Sequence, residues 1–204
     1  FEFPFSRVFA QELDAGNLNA KYDVLIFVNG AIPSTRPVGA RSGQAPAGGG
    51  GGRGRAGQQP DPSNIPAEYR AHLGRMTAET TIPQLRRFVE GGGTIVAIGS
   101  SAANIAAHFG LPVENHLVEN GKPLPRSRYF VPGSVLTARV DTTHPVAAGM
   151  PERANFFFDN SPVFGIRGGS DPAVRPIATF DSETPLKSGW AWGQNYLKGG
   201  IAAS

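Results

Sequence analysis

No cysteine occurs anywhere in the chain. That one absence removes disulfide staples, a thiolate zinc site and a cysteine nucleophile, and it leaves the redox compartment open. No apolar run approaches the length that crosses a bilayer, so a membrane is not an expected partner. The opening residues, FEFPFSRVF, lack the basic, apolar and small-residue order of a secretory leader. A dense block of like charge is missing too. Lys and Arg exceed Asp and Glu by 19 to 16, a formal net charge of +3. That excess is spread along the chain as solvated surface, so nucleic acid is not an expected partner either.

What is present suits one domain with a real core, or one domain with an insertion. The chain has 204 residues and 40% apolar content, which is too short for two complete domains of ordinary size. Residues 1–204 therefore read as a single domain. The start without Met and the ending YLKGGIAAS read as cuts in something longer, with Ile201 opening an apolar stretch that stops before it becomes a strand.

Arg7 to Phe9 reads as a short strand, and Asp14 to Leu18 as a turn or single helical turn. Val24 to Val28 is a continuous apolar run closed by Asn29-Gly30, the pattern of a strand buried on both faces of a parallel sheet. From Pro33 to Pro66 the composition shifts to Gly, Pro, Ala, Gln and Arg, predicting a disordered Gly/Pro-rich insertion. An RNA-binding arginine-glycine tract is the other reading of GGGGGRGRAG, and it lacks the interleaved aromatics such tracts use. Order returns at TTIPQLRRFVEGGG, where Ile82, Leu85, Phe88 and Val89 share a helical face, Thr80 or Thr81 can cap, and Gly91 can stop the helix. Thr94 to Ile98 reads as a strand. Ala102, Ile105, Ala106 and Phe109 then mark a second helix ended by Gly110. Strand, helix, strand, helix predicts a wound α/β sheet. Further on, Ser134 to Val140, Asn155 to Phe158 and Arg175 to Phe180 read as strands separated by turns.

The turn Gly99-Ser100-Ser101, with Asn29-Gly30 at the end of the other strand, is where a wound sheet places ligands. Backbone N–H groups opening the helix favour an anion or a developing oxyanion there, making Asn29, Gly30, Gly99, Ser100 and Ser101 candidate ligand-binding residues. Ser100 is a candidate nucleophile with His144, or else His116, as base. AIGSSAA is not the G-x-S-x-G elbow, however, because Ala102 stands two residues after Ser100. Helix capping by Ser100 or Ser101 is the simpler expectation. His116 and Glu119 have His-x-x-Glu spacing, with His144 imaginable as a third zinc ligand, yet the surrounding Pro112, Asn115, Asn120 and Gly121 predict an irregular segment unable to hold them rigidly. No metal site is expected. His144, before Pro145, fits a structural turn, and His72 and His108 fit ordinary helix positions. Phe156 to Phe158 reads as a core strand and its edge. Trp190 and Trp192 alternate onto one side of GWAWG, either as a binding platform or, more simply, packed beneath the following loop.

KYDVLIFVNGAIP, IPAEYRAHLGRMTAETTIPQLRRFVEGGGTIVAIGS, YFVPGSVLTARVDTTHPVAAGMP and LKSGWAWGQNYLKGG together resemble the class I glutamine-amidotransferase-like domain that follows the peptidase domain of some bacterial zinc carboxypeptidase-like proteins. The resemblance spans nearly everything outside the Gly-rich insertion. It implies a flavodoxin-like, mostly parallel sheet with helices on both faces, and a preceding strand lying between the first two strands visible here. It puts Gly99 at the position of the family's catalytic cysteine and Ser101 at that of its glycine, so glutaminase activity does not carry over. What it implies instead is a non-catalytic accessory domain whose partner is an upstream peptidase domain of the same polypeptide. The zinc belongs to that domain, and no cofactor is expected in this chain. A serine hydrolase using Ser100, or a module binding a small anion at Gly99 to Ser101, are the alternatives.

Overall fold

A computed structural model describes residues 3–35 and 61–204. They fold as two compact units, 3–35 with 61–109 and 110–204. Most of the predicted insertion lies outside the described residues. Its last part carries a single helical turn, Pro62–Asn64, capped by the Asp61 carboxylate on Ser63 N.

The first unit contains α1 (Ala10–Ala15), β1 (Val24–Phe27), α2 (Thr81–Glu90), β2 (Thr94–Ala97) and α3 (Ser100–Phe109). Arg7 to Phe9 forms no strand. Phe9 instead precedes α1 and stacks on His72 with ring centroids 4.0 Å apart. β1 and β2 pair directly and in parallel, Val24 opposite Thr94 through Phe27 opposite Ala97, so no other strand lies between them. Leu25 and Phe27 pack with Leu13 of α1, Ile82, Leu85 and Phe88 of α2, and Ile105 of α3 into one core. Thr81 ties α2 to α1 by donating to Asp14 Oδ1 at 2.6 Å, and Val89 turns outward.

The expected burial of Val24 to Val28 on both faces is therefore corrected. Side chains alternate across a strand, and here only the Leu25 and Phe27 face is covered. Val24, Ile26, Val28, Val96 and Ile98 on the other side are exposed, Ile26 by 65%. A short apolar run has the same appearance whether one face or both are covered, which is why periodicity could not separate the cases.

The second unit overturns the flavodoxin-like reading of a mostly parallel sheet with helices on both faces. Its strands are β3 (Val113–Asn115), β4 (Val118–Glu119), β5 (Lys122–Pro123), β6 (Ser134–Val140), β7 (Arg153–Phe158), β8 (Phe164–Ile166), β9 (Ala178–Thr179), β10 (Leu186–Ser188) and β11 (Ile201–Ala203). Among the described residues the main sheet has seven strands, β10-β6-β9-β11-β8-β3 with β7 on the far side of β6, and every pairing in it is antiparallel. Parallel neighbours need a crossover of helix length. Between these strands the connections carry only turns and short helical turns, so antiparallel pairing is what they permit. Ile201 to Ala203, read as too short for a strand, pairs with both β8 and β9.

β6 organises this unit. It pairs with β7 from Ser134 opposite Phe158 to Arg139 opposite Arg153. Leu136, Ala138 and Val140 point into a core with Phe158, Val163, Phe180 and Leu197, while Phe157 faces solvent. Among the described residues the buried Tyr129 hydroxyl lacks a hydrogen bond, and burial pushes its phenol above the ordinary tyrosine range. Tyr129→Phe keeps the ring and removes the unpaired hydroxyl, so it should stabilise the unit by about 1 kcal/mol, read as a higher urea midpoint at unchanged slope. Because the folded pKa is raised, this group's contribution is intact below the unfolded value of about 10 and fades as pH climbs past it. The Phe variant should lack that alkaline loss.

Candidate functional site

The turn joining β2 to α3 is built around Gly99, whose φ of +61 bends the chain sharply into the helix. A Cβ there would lie 2.5 Å from Asn29 Oδ1, so glycine is required by both torsion and space. Asn29 Oδ1 accepts from Ser100 N and from Ser100 Oγ, each at 2.8 Å. The side-chain amide at the end of β1 thus caps α3 from outside, where the helix's first N–H groups lack internal partners. Ala102 N is also taken, by Gly99 O at 3.0 Å.

Ser101 is fully buried. Its hydroxyl donates to Val28 O at 2.7 Å and accepts from Ala31 N at 3.0 Å and Ile32 N at 3.2 Å. Neither serine caps its own helix as expected, since both hydroxyls are spent on the segment that leaves β1. Further along α3, Asn104 Nδ2 donates to Ile32 O and His108 Nε2–H to Pro33 O, both at 2.8 Å. Ser100, Asn104 and His108 stand at i, i+4 and i+8, one helical face. Together they form a polar stripe that clasps Asn29 to Pro33. The signal for it was in the sequence, as Ser100, Asn104 and His108 at every fourth position of the helix, but the partner seventy-odd residues away was not.

The clasp decides what the turn can do. A nucleophilic serine must pass its proton to a base, and the Ser100 proton points at an amide oxygen that has no useful basicity. Within this unit His72 is stacked on Phe9, and His108 lies eight residues along α3, about 12 Å away at the helical rise. His144 and His116 belong to the second unit. His144 Nδ1 accepts from Val146 N at 3.2 Å and caps the turn Pro145–Ala147, as its place before Pro145 suggested. His116 Nε2 donates to Lys198 O at 3.1 Å, and the Glu119 carboxylate pairs with Arg128. The donor set weighed for zinc is thus engaged elsewhere, and among the described residues no group of three metal-ligating side chains lies together. As an anion site the turn offers less than the sequence suggested, because Asn29 Oδ1 occupies Ser100 N. Gly30 adds only a left-handed turn with open space around it, φ +79.

Two features of the second unit lie outside that turn. A cleft of about 420 Å³ is lined by Arg139, Asp141, Thr143, Glu152, Ile177 and Thr179. Its charges are of both signs, and Asp141 is held below the usual carboxylate range by its bonds from Thr143. Trp190 and Trp192 are both exposed, so they do not pack beneath the loop that follows them.

Comparison of the chain with family models, with curated proteins and with solved structures finds no match.

Proposed function

We propose that this chain is a non-catalytic accessory module, resembling the class I glutamine-amidotransferase-like domain, that packs on the peptidase domain of a zinc metallocarboxypeptidase-like polypeptide. The observation that carries the reading is the internal use of the turn after β2. Ser100 donates to an amide oxygen, Ser101 is consumed by backbone groups, and Gly99 has no side chain where the resemblance puts the cysteine. Acyl transfer needs a nucleophile beside a base and an oxyanion hole with free donors, and this geometry supports neither. A side chain at position 99 would moreover have to displace the Asn29 amide.

The bare face of the β1–β2 pair supports the packing part. Parallel strands are ordinarily covered on both sides, and a contiguous set of β-branched side chains in solvent is what a partner surface covers. In this reading the zinc of the peptidase domain supplies the Lewis acid for peptide hydrolysis. The present chain contributes no ligand to it.

The test uses the full-length polypeptide. Ile26→Lys with Ile98→Lys charges the bare face and leaves the buried one untouched. Expected are an unchanged far-ultraviolet circular dichroism spectrum and cleavage between the domains about tenfold faster in limited proteolysis. Ser100→Ala should leave turnover as it was. A Ser100→Ala variant that retains its zinc and loses turnover overturns the reading and makes the serine a nucleophile.

A further inference from the structure

The chain has two tryptophans, Trp190 and Trp192, and they are 52% and 54% exposed. The backbone that carries them is held firmly. Trp190 N donates to Ser134 Oγ at 3.1 Å, and the same hydroxyl donates back to Trp190 O at 2.8 Å. Phe130 and Trp192 exchange both hydrogen bonds of an antiparallel bridge, at 3.0 and 2.9 Å. Ala191, between the tryptophans, packs on the core, so alternation sets both indoles on the outer side.

The outer side chains are ordered too. The Phe130 and Trp190 rings lie 5.8 Å apart, tilted at 59°. Trp192 Nε1 donates to Ser127 O at 2.8 Å, which fixes the plane of that indole. The Arg126 guanidinium sits 4.4 Å from the centre of the Phe130 ring, and among the described residues it has no ion pair. The neighbouring Arg128 is already committed to Glu119 and Tyr196.

We propose that Arg126, Phe130, Trp190 and Trp192 form a binding platform for an acidic oligosaccharide, the indole faces stacking on pyranose rings and Arg126 taking a uronic acid carboxylate. Large flat side chains held open to water lose little entropy when a ligand arrives. They suit the C–H face of a sugar, while a guanidinium matches a carboxylate bidentately. Two other occupants fit less well. A proline-rich peptide docks in aromatic-lined grooves and draws on indole N–H donors for its carbonyls, and one of the two indoles, Trp192, has spent its donor on Ser127. A single-stranded nucleic acid wants a cation for each successive phosphate, and here one uncommitted arginine stands beside the rings. One charge beside exposed indoles matches a repeat with one carboxylate.

Because both tryptophans lie in the platform, the whole tryptophan emission of the 204-residue chain reports on it. Titration with tetragalacturonate should change that emission saturably. Arg126→Gln, an exposed change, should weaken binding about tenfold or more, the worth of a charge-assisted hydrogen bond. Trp190→Ala should remove most of the response. No response to tetragalacturonate overturns the proposal, and so does equal affinity for neutral maltotetraose. Tighter binding of decaproline or of oligothymidine overturns it in favour of a peptide or a nucleic acid. Wild-type affinity in Arg126→Gln overturns the assignment of that residue.

Discussion

Ser101→Ala is expected to destabilise the first unit by roughly 2–3 kcal/mol, the cost of stranding a buried backbone donor together with the loss of good hydrogen bonds. The burden falls unevenly on the three groups that the hydroxyl serves. Val28 O and Ala31 N also bond each other, at 3.2 Å, so each keeps a partner. Ile32 N has only Ser101 Oγ, and Ile32 is among the most buried residues of the chain. Water cannot replace the lost acceptor without opening the core around Leu25 and Phe27. Ser100→Ala, one residue away and exposed, loses a single bond to Asn29 and should cost well under about 1 kcal/mol. Urea unfolding of the two variants beside the parent measures the contrast. Equal midpoints for both would mean that Ser101 does not clasp the segment after β1.

Gly193→Ala should be the more damaging change in the second unit, at roughly 3 kcal/mol or above. Gly193 has φ +69 and ψ 30, a left-handed conformation that costs an L-residue about 1–2 kcal/mol. The added Cβ would also run into the carbonyl oxygen of Arg128. That carbonyl belongs to rigid backbone next to the Phe130–Trp192 bridge, so relief requires the bridge or the turn Gln194–Leu197 to move. Gly121→Ala provides the comparison. Its φ is +73, yet nothing lies within 4 Å of the position, so it should pay the torsional cost alone, about 1–2 kcal/mol. The difference between the two in thermal or urea unfolding isolates the collision. Gly193→Ala should also shift the tryptophan emission, because the indoles are carried on the segment it disturbs. A Gly193 variant no less stable than the Gly121 variant would show that the Arg128 carbonyl can yield.

The residues differ in how openly they announced their roles. Ser134 to Val140 was read as a strand between turns, and β6 has those limits. Ile82, Leu85 and Phe88 marked the buried side of α2, and Gly110 the end of α3. Val24 to Val28 was placed as a strand and misjudged in its covering. The direction of the large sheet was misjudged as well, because a resemblance to a wound fold outweighed the lack of helix-length segments after Gly110. At the candidate site the internal bonds of the residues were not legible in the sequence. Asn29, Ser100 and Ser101 looked available for a ligand, and the folded chain turns each of them toward another part of itself.

Periodicity and the want of cysteine are local properties, expressed within a few turns or a few residues, and for that reason the order of letters alone settled where β1, α2, β2, α3 and β6 run and which sulfur chemistry is impossible. Which strand pairs with which, which face stays bare, and whether a hydroxyl is free or clasped depend on groups seventy or more residues apart. Those contacts exist only once chain entropy has been surrendered for packing, so only the folded arrangement could decide that the turn after β2 is closed and the tryptophans are open.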